Sequence, residues 1–64
     1  MKIKSNELKV GMIVKRTRFS PVIYNEIKEI HTEIHKNGNK SYMVIFEGGS
    51  AGSYREGTLV EISN

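Results

Sequence analysis

Pro21-Val22-Ile23-Tyr24-Asn25-Glu26-Ile27-Lys28-Glu29-Ile30-His31-Thr32-Glu33-Ile34-His35-Lys36 is the stretch on which the fold turns. Ile23, Ile27, Ile30 and Ile34 recur at the spacing of one helical face. Ser20 would cap such a helix, Pro21 suits its first position and Asn37-Gly38 suits its end. Side-chain shape opposes it: Val22, Ile23, Ile27, Ile30, Thr32 and Ile34 are all β-branched, and such residues favour a pleated strand. Read as a strand, Ile23 and Ile27 have one parity and Ile30, Thr32 and Ile34 the other. One bulge near Lys28-Glu29 is then required to bring both sets to one face. The strand also gains a partner, because Ile30–His35 can pair with Lys40–Ile45 across Lys36-Asn37-Gly38-Asn39. The strand is the preferred reading, and an α+β fold with a helix at 21–36 is the alternative.

Working outward, Ser41-Tyr42-Met43-Val44-Ile45-Phe46-Glu47 is a short apolar run bracketed by Asn37-Gly38-Asn39 and Gly48-Gly49, as expected of a buried central strand. Alternation places Tyr42, Val44 and Phe46 on one face and Met43 and Ile45 on the other. Gly48 to Ser53 is expected to be a flexible connection, and Tyr54 to Gly57 a turn or short strand. Thr58 to Ile62 closes the chain as a strand with Thr58, Val60 and Ile62 on one side. Toward the N-terminus, Lys2-Ile3-Lys4 fits a lysine-guarded edge strand. Ser5 to Leu8 fits a turn, and Gly11 a turn or bulge leading into a strand from Met12 to Arg18. About five short strands in one small domain, residues 1–64, predict an all-β barrel.

Leu8-Lys9-Val10-Gly11-Met12-Ile13-Val14 resembles the Leu-x-x-Gly-x-x-Val opening of SH3-like barrels, including the KOW-type domains of translation and transcription factors. Tyr42 to Gly49 and Thr58 to Ile62 are similar to the third and final strands of such barrels. The resemblance implies architecture and leaves function open. The lysine-tipped loop of the elongation factor P domain has no counterpart here. Nor is there the aromatic and acidic pattern with which signalling SH3 domains take proline-rich peptides.

A chain of 64 residues buries only about 60% of its unfolded surface, so its stability margin is thin. It has no cysteine, which excludes disulfides and thiolate metal sites. No apolar run approaches a membrane span, and the N-terminus lacks the apolar core of a signal peptide, so a soluble, cytoplasmic protein is expected. The net charge of +3 is unevenly spread. Lys2, Lys4, Lys9, Lys15, Arg16 and Arg18 stand against Glu7 alone in the first twenty residues, whereas Glu47, Glu56 and Glu61 outnumber Arg55 after residue 40. A basic third of this kind fits a polyanion or an acidic protein surface. The absence of Asp and the abundance of Lys, Asn and Ile are typical of AT-rich genomes, including many phages.

The strongest local feature is Lys15-Arg16-Thr17-Arg18 followed by Phe19, because phosphate binding needs clustered cations and an adjacent aromatic can stack on a base. Tyr24, Tyr54 and Arg55 complete the candidate contact residues. Lys2, Lys4 and Lys9 would enlarge the surface if the N-terminus folds back. In an extended strand Arg16 and Arg18 share a face and Lys15 lies opposite. His31 and His35 would be about 13 Å apart on a strand, too far to share a metal ion. The glycine loop Gly48 to Ser53 matches no phosphate-binding motif. With no buried carboxylate constellation and no room for a water-excluding pocket, neither catalysis nor a cofactor is expected. The sequence thus predicts a non-catalytic binding module, with nucleic acid the first partner class. A protein-interaction module, such as a phage-type modulator of a host enzyme, is the alternative. A homo-oligomer is a third expectation, drawn from the two apolar faces of Tyr42 to Phe46.

Overall fold

β3 (Ile23–Ile34) and β4 (Lys40–Phe46) form the long hairpin on which the other strands are assembled. A computed structural model describes residues 1–17 and 20–63. Its remaining elements are β1 (Lys2–Lys4), a 3-10 turn at Ser5–Glu7, β2 (Ile13–Arg16), β5 (Ala51–Arg55) and β6 (Leu59–Glu61). Antiparallel pairing gives a four-stranded sheet in the order β2-β3-β4-β5 and a two-stranded sheet, β1-β6. The fold is all-β and barrel-like, and Pro21 to Lys36 contains no helix.

The register of the hairpin shows why the strand wins. Ile27 lies opposite Phe46 and Glu29 opposite Ile45, so Lys28 is the extra residue of a bulge. Beyond it Ile30 faces Val44 and Thr32 faces Tyr42. One inserted residue therefore turns both isoleucine sets toward the same concave side. The tip is closed by the His35 amide donating to Asn39 O at 2.8 Å and the Gly38 amide donating to His35 O at 2.9 Å. Gly38 has φ +87°, a conformation that needs glycine in such a three-residue loop. Gly11, at φ +95°, turns the chain into β2 while its amide donates to Ile27 O at 2.9 Å.

Leu8, Val14, Ile27, Val44, Phe46, Val60 and Ile62 form the core, with Ile3, Met12, Ile30 and Tyr54 packed against it. The β1-β6 pair covers the concave face of the larger sheet. It is tied there by the Val14–Ile62 bridge, by the Ser63 amide on Ile13 O, and by Ser5. Ser5 is only 1% exposed; its amide donates to Thr58 O and its hydroxyl to Arg55 O at 2.6 Å.

Three expectations are corrected. The strands number six, because Ala51–Arg55 is β5 and not part of a flexible connection. Ala51, Gly52 and Ser53 are weak strand formers, but the ladder to β4 and the facing of Tyr54 on Tyr42 override their propensity. Second, the β2 strand is shorter than Met12 to Arg18, running Ile13–Arg16. Third, the apolar run of β4 is fully covered on one face only: Val44 and Phe46 are buried, whereas on the other face Ile45 is half-buried and Met43 is 40% exposed. The hairpin tip also projects past the core, leaving Ile34 71% exposed.

One-sided packing has a measurable consequence. Phe46→Ala is expected to cost about 3–5 kcal/mol, enough to unfold a domain of this size, while Met43→Ala changes stability by no more than about 0.5 kcal/mol. Urea unfolding of the two variants checks this, and equal losses would contradict the described core.

Candidate functional site

β2 and β5 are the two edges of the four-stranded sheet. Between their facing ends, with β6 and the start of β1 alongside, lies a groove of about 500 Å³. Lys15 and Arg16 reach it from β2, Tyr54 and Arg55 from β5, and Lys2 from β1. Thr17, Ser53 and Thr58 add hydroxyls, and Val14, Leu59 and Val60 add apolar surface. Four of the residues singled out in the sequence, Lys15, Arg16, Tyr54 and Arg55, thus meet at one place. Their convergence arises because both free edges of the curled sheet turn toward β6.

Not every candidate joins them. Tyr24, paired with Lys15 across β2 and β3 and 54% exposed, does not line the groove. Arg18 and Phe19 lie outside the described residues. Lys2 enters the site because Ile3 pairs with Val60, folding the N-terminus back along β6; Lys4 and Lys9 do not line the groove. Thr58 and Ser53 carried no sequence signal, since a single hydroxyl near a turn is unremarkable until the fold brings it to an edge.

Arg16 has a second role. It alternates to the same side as Val14, and its guanidinium carbon stands 5.1 Å from the centroid of the buried Phe46 ring. The guanidinium therefore lies on the ring as a cation–π contact while its edge borders the groove.

Glu61 is the one carboxylate among the described lining residues. It accepts a hydrogen bond at 2.7 Å from the α-ammonium of Met1. This hydrogen bond holds the Glu61 pKa below the ordinary carboxylate value; burial pulls the other way, and the charges of the ammonium, Lys15 and Lys2 add to the lowering. Lys2, Lys15, Arg16 and Arg55 are the cations that line the groove around it.

A second recess, of about 710 Å³, lies along the convex side of the hairpin and mixes charges, Glu33 and Glu56 with Lys40 and Arg55. It contains the contact between His35 Nε2 and Ser41 Oγ, 2.9 Å apart. That pair resembles a nucleophile and its base in distance alone. Among the described residues no carboxylate takes up the other ring nitrogen, and His35 is exposed. Nor does any group of three or more His, Asp or Glu side chains among the described residues come together to hold a metal ion. No helix among them is long and apolar enough to cross a membrane. Comparisons with protein-family models, with curated proteins and with solved structures find no significant match to this chain.

Two outcomes follow from the geometry. Arg16→Ala is expected to lower stability by about 0.5–1 kcal/mol through loss of its contact on Phe46, whereas Lys15→Ala leaves it unchanged; equal effects in urea unfolding would contradict the assignment. For Glu61, a pKa depressed by folding contributes stability above the unfolded carboxylate pKa, and that contribution is lost as pH falls through the folded value. A carbon-detected NMR titration is expected to place the Glu61 midpoint below that of a glutamate in an unfolded peptide. A midpoint at or above the peptide value would rule out the ammonium contact.

Proposed function

We propose that this chain is a non-catalytic, cytoplasmic binding module of SH3-like barrel type whose basic groove takes the phosphate backbone of a nucleic acid. The observation that supports this reading best is the convergence of cations from three separated stretches, Lys2, Lys15 with Arg16, and Arg55, around a groove in which Glu61, the one acid among its described residues, is paired with the Met1 ammonium. Tyr54 adds an aromatic ring to the same wall. Cations along a groove beside an aromatic surface are what a flexible phosphodiester chain requires.

A second reading, an acidic protein surface such as that of a host enzyme, draws on one further observation. Tyr24, with Val22 and Ile23 beside it, exposes aromatic and apolar area outside the groove, which suits a protein contact.

Fluorescence anisotropy with labelled RNA and DNA across a salt series tests the first reading. With four cations on phosphates, log K against log salt is expected to fall with a slope of about −3, and Lys15→Ala combined with Arg55→Ala to flatten it by about 1.4. Absence of binding at low salt, or a slope unchanged in the double variant, would overturn it. Recovery from nuclease-treated lysate of one protein, released by salt and lost in Tyr24→Ala, would favour the second.

A further inference from the structure

The fold guards its strand edges unequally. Lys2 and Lys4 stand on β1 and Lys15 on β2, the usual means of keeping an edge from pairing with another chain. β5 runs Ala51-Gly52-Ser53-Tyr54-Arg55, with no charge before its last residue and no proline. Its backbone polarity follows from the register. The Glu56 amide donates to Lys40 O and the Phe46 amide to Ser50 O, so the pairs at Tyr54–Tyr42 and Gly52–Val44 exchange the ladder bonds. The residues between them, Ala51, Ser53 and Arg55, turn their amides and carbonyls away from β4. On the other side of β4 the His35 amide donates to Asn39 O, which sets Met43 toward His31 in the same way and leaves Ser53 no partner on that strand. The Arg55 carbonyl is already taken by the Ser5 hydroxyl and the Thr58 amide. At Ser53, within the basic groove, an N–H donor and a C=O acceptor face outward side by side.

We propose that the groove binds a single, unpaired nucleic-acid strand, with the backbone edge of Ser53 hydrogen-bonding the edge of one base while the surrounding cations hold its phosphates. The inference rests on the nucleic-acid reading above and narrows it. Every nucleobase carries an adjacent donor and acceptor on its Watson–Crick edge, which matches the paired N–H and C=O of an open strand, and that edge is accessible only when the base is unpaired. Lys2, Lys15, Arg16 and Arg55 lie close enough to Ser53 to line the same groove, so phosphates flanking the bound base have cations to meet. A duplex hides its base edges and would be left with the cations alone.

Anisotropy with a mixed-sequence single strand, a hairpin duplex of the same sequence, inorganic polyphosphate and an oligoglutamate peptide tests this on the full chain. The single strand is expected to bind at least about tenfold more tightly than the duplex. Ser53→Pro removes the outward amide without breaking a ladder bond, and should weaken single-strand binding about three- to tenfold while leaving polyphosphate binding unchanged. Ser53→Ala, which removes the hydroxyl and keeps the amide, should lose less single-strand affinity than Ser53→Pro does. In the parent protein the Ser53 amide resonance should shift on adding the single strand, a readout independent of whether Ser53→Pro folds. Equal affinity for the duplex, or a Ser53 amide that does not move, overturns the proposal and leaves the nucleic-acid reading intact. Oligoglutamate binding that Ser53→Pro weakens, with no preference for single strands, replaces it with the addition of an acidic peptide strand. No binding to any nucleic acid removes the broader reading as well.

Discussion

The bulge at Lys28 is the constraint from which the rest of the molecule follows. Without it, a one-parity strand would turn Ile27 and Ile30 to opposite faces, and one of them would lose its place against Phe46 and Val44. With it, β3 presents Ile27 and Ile30 to a single concave side. The bulge also adds local twist, which bends the long hairpin and brings the outer edges β2 and β5 round toward β6. The same inserted residue thus completes the core and shapes the groove.

The thinness of the domain explains what lies around that core. The seven buried apolar side chains among the described residues form one layer, and outside it Met43 stays half open on the convex face and Tyr24 stands in solvent. The β1-β6 pair is short, and it is held by polar ties as much as by packing: the buried Ser5 binds both Arg55 and Thr58, and the terminal ammonium binds Glu61. A closed barrel would have no free edges, whereas this one retains an opening between β2 and β5. The cations collect at that opening because charged heads can stay in water there while their stems pack on the rim, as Arg16 does on Phe46.

Much of the fold was legible from residue chemistry. The β-branched run from Val22 to Ile34, the bulge at Lys28-Glu29 and the turn at Asn37-Gly38 each have a local physical cause, and each stands where expected. β5 was not legible, because Ala51, Gly52 and Ser53 have little strand preference and are strands only by virtue of their partner β4. The openness of the convex face was hidden for a related reason: a run of five apolar residues does not say which side a neighbour will cover. For the site, charge and residue type marked Lys15, Arg16, Tyr54 and Arg55, but nothing in their separation of about forty residues showed that β2 and β5 would face one another. Tyr24 was marked as an aromatic near the basic run, but residue type did not show that it would stand outside the groove.

β3, Ile23–Ile34, is a bulged strand paired in register with β4. Nuclear Overhauser spectroscopy tests it most directly, since Hα protons approach closely across the non-hydrogen-bonded pairs of an antiparallel ladder. Hα–Hα cross-peaks are expected between Ile30 and Val44 and between Thr32 and Tyr42, with the matching contact at Lys28 missing. Successive amide–amide contacts running from Val22 to His35, the signature of a helix, would contradict it and remove the groove along with the sheet.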